Sequence, residues 1–129
     1  MKADDPVAVV ERQLAAYNAR DLERFAATYT DDVTIHRMPA QMNAIRGKEQ
    51  LRAVYRERFA SPGLHAEILS RIVLGNKVID HERVTGIRDQ PLEALAIYEV
   101  AGGLIRAVWF FYPAEPFPSG PAVSQRSAS

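Results

Sequence analysis

Residues 65–112 read HAEILSRIVLGNKVIDHERVTGIRDQPLEALAIYEVAGGLIRAVWFFY. Apolar and polar side chains alternate through most of this stretch, and a period of two is the signature of half-buried strands. Turn residues interrupt it three times. Gly75-Asn76 accepts positive φ and suits a two-residue hairpin. Arg88 to Pro91 turns the chain again, and Gly102-Gly103 makes a third reversal. The stretch therefore predicts four strands in a meander: His65–Leu74, Val78–Ile87, Leu92–Ala101 and Leu104–Tyr112.

Upstream the period changes. Asp5-Pro6 starts a helix, with a capping carboxylate followed by proline at the first helical position. Val7, Val10, Leu14 and Tyr17 then fall on one helical stripe. Asp21 caps a second, short helix carrying Leu22, Phe25 and Ala26. Thr30-Asp31-Asp32 reads as a turn and Val33–Arg37 as a strand. Met38 to Arg46 reads as a loop. A third helix follows Gly47, with Leu51, Val54, Tyr55 and Phe59 on one side, and Ser61-Pro62-Gly63 ends it. Helices placed before a run of antiparallel strands imply α+β, not α/β.

Composition sets the outer bounds. The 129 residues suffice for one core, so residues 1–112 are expected to form a single domain. The stretch from Pro113 to Ser129 holds four Pro and four Ser, and is expected to be a poorly ordered tail. Lys plus Arg equals Asp plus Glu at 16 each, which gives no electrostatic case for nucleic acid or an anionic membrane. The absence of Cys excludes disulfides, thiolate nucleophiles and Cys-ligated zinc. No apolar run reaches the length of a membrane helix, and the N-terminus lacks a signal-peptide core; a cytoplasmic protein is the expectation.

Several phrases resemble the nuclear transport factor 2-like superfamily, which includes ketosteroid isomerase and the SnoaL-like polyketide cyclases. They are Ala15-Ala16-Tyr17-Asn18-Ala19-Arg20-Asp21-Leu22, Tyr29-Thr30-Asp31-Asp32-Val33-Thr34-Ile35, Arg46-Gly47-Lys48-Glu49-Gln50-Leu51, and Gly103-Leu104-Ile105 leading to Trp109. The resemblance implies a cone-shaped curved sheet wrapped around the N-terminal helices and enclosing one pocket. The loop from Met38 to Arg46 is then expected to rim the pocket mouth, with Gln41 and Asn43 in reach of a ligand. It also implies positions for the ketosteroid isomerase machinery. The base position falls on Arg37, the helix tyrosine on Gln13 and the protonated acid on Ala96, so that mechanism is not expected here. Two supporting aromatic positions match, at Tyr29 and Tyr55.

Which polar groups face the pocket depends on strand parity. Val33 and Ile35 put Arg37 on their inward side. In the strand after the hairpin, one parity turns Asp80 and Glu82 inward. The other, suggested by the apolar set Ala66, Ile68, Ile72 and Leu74, turns His81 and Arg83 inward. Pattern and resemblance together favour Asp80 and Glu82. A carboxylate desolvated by the cone walls would be a base with a raised pKa, and Arg37 with Tyr98 would bind a developing oxyanion. The structural alternative is a buried ion pair between Asp80 and Arg71 across the hairpin. Tyr17, Tyr98, Trp109 and Phe111 are expected to line the pocket. Leu95, Ile97 and Glu99, with Val108 and Phe110, are expected on the outer sheet face, where a second copy would pack. His36, His65 and His81 lack metal-binding spacing, and neither a metal nor a cofactor is expected.

The leading expectation is thus a cofactor-independent isomerase, cyclase or hydrolase for an apolar carbonyl or ring compound. The alternatives are a non-catalytic pocket for a small apolar ligand and a dimeric interaction domain.

Overall fold

The computed structural model describes residues 5–38 and 44–113. The tail beyond Pro113 and the loop positions Gln41 and Asn43 lie outside the described residues. Helix α1 spans Pro6–Ala19, α2 Leu22–Ala26 and α3 Lys48–Arg58. The Asp5 carboxylate accepts the Val7 N–H at 3.0 Å, and Asp21 accepts the Arg24 N–H at 3.2 Å. Both helix starts are therefore capped as their sequences dictate.

The strands are β1 (Tyr29–Met38), β2 (Ile45–Arg46), β3 (His65–Leu74), β4 (Lys77–Thr85), β5 (Leu92–Ala101) and β6 (Leu104–Phe111). They form one six-stranded sheet in the order β2-β1-β6-β5-β4-β3. All neighbours are antiparallel except β1 and β6, which run parallel. The architecture is α+β: a mixed, open, curved sheet with the helices packed in its concave side. Thr30-Asp31-Asp32 does not turn but continues β1, with a pairing irregularity between Tyr29 and Thr34 that leaves both aspartates exposed. Strand β2 lies where a loop was expected, because Ile45 finds a partner in Ile35 and buries its side chain there.

The core runs between the helices and the inner sheet face. Phe25, Tyr29, Leu51 and Ile35 are almost fully buried, and Phe25 meets Tyr17, Tyr29, Tyr55 and Phe59 at ring spacings of 4.6–5.9 Å. Two features fix the helices to the sheet. The Asn18 amide donates to the Ala66 carbonyl at 3.0 Å and accepts the Ala66 N–H at 2.8 Å. At the same end of the β3–β4 pairing, Gly86 leaves β4 with φ +92, and a Cβ there would lie 2.4 Å from the Gly63 carbonyl oxygen, so the turn after α3 packs directly on the strand end.

Two bulges decide which way side chains point. One falls between Ile68 and Ser70 on β3. Before it, Ala66 and Ile68 pair with Val84 and Glu82 on the inner face. After it, Arg71 pairs with Asp80 and Val73 with Val78 on that face, so Ile72 and Leu74 turn outward. The second falls on β6 beside Glu99 and Val100, where Ile105 and Val108 both face inward although three residues apart. It reverses the expected parity of the strand end. Phe110 faces inward, and Trp109 and Phe111 lie outside opposite Ile97 and Leu95.

Candidate functional site

A cavity opens between α1, α3 and the inner sheet face. Its empty volume is about 500 Å³ including the mouth, and the deep part is narrow. Gln13 and Tyr17 reach it from α1, Tyr55 and Arg58 from α3, Arg37 from β1, Glu82 from β4 and Tyr98 from β5. Glu82, Tyr55, Tyr98 and Gln13 are buried at its floor, whereas Arg37, Arg58, Phe110 and Tyr112 are only partly covered and form the rim. The remaining walls are apolar, from Leu14, Val84, Ile87 and Leu92 among others.

Alternation along β4 brings Val78, Asp80, Glu82 and Val84 to the inner face and leaves His81 and Arg83 outside. The two inward carboxylates differ in surroundings. Asp80 is 1% exposed and held by Arg71, Nε to Oδ1 at 2.6 Å and a second guanidinium nitrogen to Oδ2 at 3.0 Å. Arg71 also binds Glu11 of α1. Asp80 does not line the cavity; it belongs to a buried, fork-geometry ion pair that ties β3, β4 and α1 together. Glu82 is 6% exposed and faces the cavity. Burial pushes its carboxyl up to about 7, the negative Asp80 adds to the rise, and the Arg58 guanidinium opposes it.

The phenols around Glu82 are neutral donors at ordinary pH. Burial pushes Tyr17 up to about 12, against the pull of Arg58. Burial also raises Tyr55 and Tyr98, the latter well above its usual range. Tyr29 is deeper: its hydroxyl accepts from Gln13 Nε2 at 3.2 Å, and it supports the floor without lining it. Ala96 is fully buried behind the cavity. The Arg58 guanidinium lies 5.4 Å from the Tyr55 ring centroid, and Arg37 has a buried Nε without a hydrogen-bond partner among the described residues.

Two expected lining residues are corrected. Trp109 and Phe111 do not reach the cavity: Trp109 stacks on His36 at 5.7 Å on the outer face, and Phe111 stands beside Leu95 and His81 there. Their inward places are taken by Phe110 and Tyr112, so Val108 and Phe110 leave the expected outer set. The sequence reading also missed Arg58, although it lies three residues after Tyr55 and helical spacing puts the two on one side. Among the described residues no group of three or more His, Asp or Glu is placed to hold a metal ion.

A cystatin-fold protein from Novosphingobium aromaticivorans is similar at 27% identity, covering 82% of this chain and 97% of that one, with a TM-score of 0.74. A SnoaL-like protein from Burkholderia thailandensis is similar at 22% identity, covering 83% and 92%, TM-score 0.70. An LEH-like epoxide hydrolase from M. tuberculosis is similar at 19% identity, covering 83% and 81%, TM-score 0.72. The latter two bear on the fold alone. No curated protein matches the sequence. Residues 10–108 match the family model of the SnoaL-like domain, most of the chain and every wall of the cavity but its last rim residues. The chain belongs to the SnoaL-like family, within the nuclear transport factor 2-like and ketosteroid isomerase-like fold group.

Proposed function

We propose that the chain is a cofactor-independent enzyme that moves a proton at the carbon beside a carbonyl in a small, mostly apolar compound, as an isomerase or a cyclase does. The observation that carries this reading is Glu82: one carboxyl at the floor of the cavity, raised to about 7, below two guanidiniums. A base near neutrality is half ionised at working pH and holds a proton well enough to return it. Glu82 takes the proton, the C–H pair becomes the C=C bond, and the carbonyl π pair moves onto oxygen. Arg37 and the neutral Tyr55 and Tyr98 phenols donate to that oxygen. Return of the proton to another carbon gives an isomer. Attack of the enolate carbon on a second carbonyl closes a ring. Asp80 has no part in this chemistry, since both its oxygens are engaged by Arg71.

The test is hydrogen exchange in deuterated water against a panel of small cyclic ketones and diketones. Deuterium is expected at the α-carbon, at a rate that rises with pH through about 7. Glu82→Gln is expected to lower that rate by about 10²- to 10⁴-fold. Binding across the panel with no incorporation would leave a ligand-binding protein without turnover. The same proposal includes a homodimer built on the outer sheet face, where Leu95 and Phe111 are 38% and 39% exposed beside Ile97 and Trp109.

A further inference from the structure

The twelve arginines among the described residues divide into three groups. Arg24, Arg52, Arg71, Arg83 and Arg106 each have an aspartate or glutamate within ion-pair distance. Arg12, Arg20, Arg46, Arg56 and Arg88 have none among the described residues, and all five are exposed, so water solvates them. Arg37 and Arg58 alone are partly withdrawn from solvent without such a partner among the described residues, and both line the cavity. A guanidinium taken from water without a counter-charge is costly.

Among the described residues the cavity supplies at most part of that counter-charge: its only carboxyl there is Glu82, and Asp80 is neutralised by Arg71. The phenols of Tyr17, Tyr55, Tyr98 and Tyr112 carry none. The site is therefore positive by one to two charges, with both cations at the rim and an apolar wall of Leu14, Ile87, Leu92 and Phe110 beside them. A guanidinium presents paired N–H donors in the geometry of a carboxylate, and two of them can bracket one. A neutral carbonyl at the floor can take one donor from Arg37 beside the Tyr55 and Tyr98 phenols, and leaves both positive charges uncompensated. We infer that the ligand of this cavity is a small organic monocarboxylate, an alicyclic or aromatic acid, whose carboxylate sits between Arg37 and Arg58 while its apolar body fills the narrow interior. The inference deepens the proposed function by naming its substrate class, and rests on that reading only for the carbonyl that such a substrate would also carry.

The test compares matched acid and amide pairs on the full chain: benzoate with benzamide, cyclohexanecarboxylate with its amide, and 4-oxocyclohexanecarboxylate with its amide. Binding is followed by calorimetry or NMR titration at low salt and about pH 7.5, where surface charge is little screened. The acid of at least one pair is expected to bind about tenfold or more tighter than its amide, the scale of one charge-assisted bond. Arg58→Gln and Arg37→Gln should each bring that ratio toward one, and Arg58→Lys should keep part of it. Circular dichroism and melting of each variant separate lost binding from lost folding, and the Lys variant covers the case in which Gln disturbs α3. Equal or tighter binding of the amides overturns the inference, as do absence of acid binding in every pair and an unchanged ratio in both Gln variants. Glu82→Gln reports on the other reading. Acid preference kept in a wild type that exchanges no deuterium removes the chemistry and leaves the anion. Exchange with neutral ketones but no acid preference does the reverse.

Discussion

Glu82 loses water on folding and gains no donor in return, so its effect on stability has a definite sign. Its carboxyl stands at about 7 in the folded chain, above the ordinary value of 4.5 for an accessible glutamate. A group raised on folding contributes fully below its unfolded value, and that contribution is lost as pH rises through the folded value. The difference corresponds to about 3 kcal/mol. Thermal melting from about pH 4 to about pH 8.5 should therefore show wild type losing ground to Glu82→Gln, with most of the change between about pH 5 and about pH 7.5. A pH-independent gap between the two proteins would mean that Glu82 titrates as an accessible carboxylate. At this scale the sequence was legible where charge and parity agreed. Glu82, Arg37, Tyr55 and Tyr98 could be placed from β1, β4, α3 and β5 alone. The ion pair of Asp80 with Arg71 was legible as an alternative from the hairpin, but not that it would leave Glu82 alone at the cavity, which depends on the bulge that turns Arg71 inward and on Glu11 arriving from α1.

Two of the elements that misled the reading, β3 and β6, carry bulges, and β1, read as starting only after a turn at Thr30-Asp31-Asp32, has a pairing irregularity at that place. Alternation counts residues, and an extra residue is invisible to the count. Along β3 both candidate parities were half right: Ala66 and Ile68 face in before the bulge, and Arg71 and Val73 face in after it. Along β6 the same event exchanged Trp109 and Phe111 for Phe110 and Tyr112. Residue type gave no warning, since any of these aromatics can pack in a core or on a sheet face. The hairpin turns at Gly75-Asn76 and Gly102-Gly103 formed as expected, whereas Gly86, read as part of the strand, ends β4. Its φ of +92 and its approach to the Gly63 carbonyl leave no place for a Cβ. Gly86→Ala should cost about 2–4 kcal/mol in urea unfolding, more than a glycine replacement in an open turn such as Gly75, where nothing lies near. Similar losses at both positions would place the cost in φ alone.

Across the whole molecule, the sheet has a face committed to the helices and a face with nothing upon it among the described residues. The order of elements and the four-strand meander conveyed this division, but the parallel pairing of β1 with β6 joins segments too far apart for local pattern to reveal. The outer surface of Leu95, Ile97, Trp109 and Phe111 predicts that wild type sediments as a dimer, and that Leu95→Glu with Phe111→Glu sediments as a folded monomer. A monomeric wild type at micromolar concentration would remove the dimer. The two faces meet different demands, and Asn18 bears on the inner one. Its amide grips Ala66 by both backbone groups, as an adjoining strand would, next to Tyr17 on one side and at the cavity wall on the other. That clasp joins α1 to the start of β3 as one wall of the cavity. The opposing wall is α3, which is tied to the sheet at its first turn, where Gln50 accepts the Arg46 N–H of β2 at 2.9 Å, and Arg58 stands at its far end. Passage in and out thus runs past a cation at the rim before it reaches the carboxyl at the floor, so a visiting molecule is sorted by charge on arrival and by shape only afterwards.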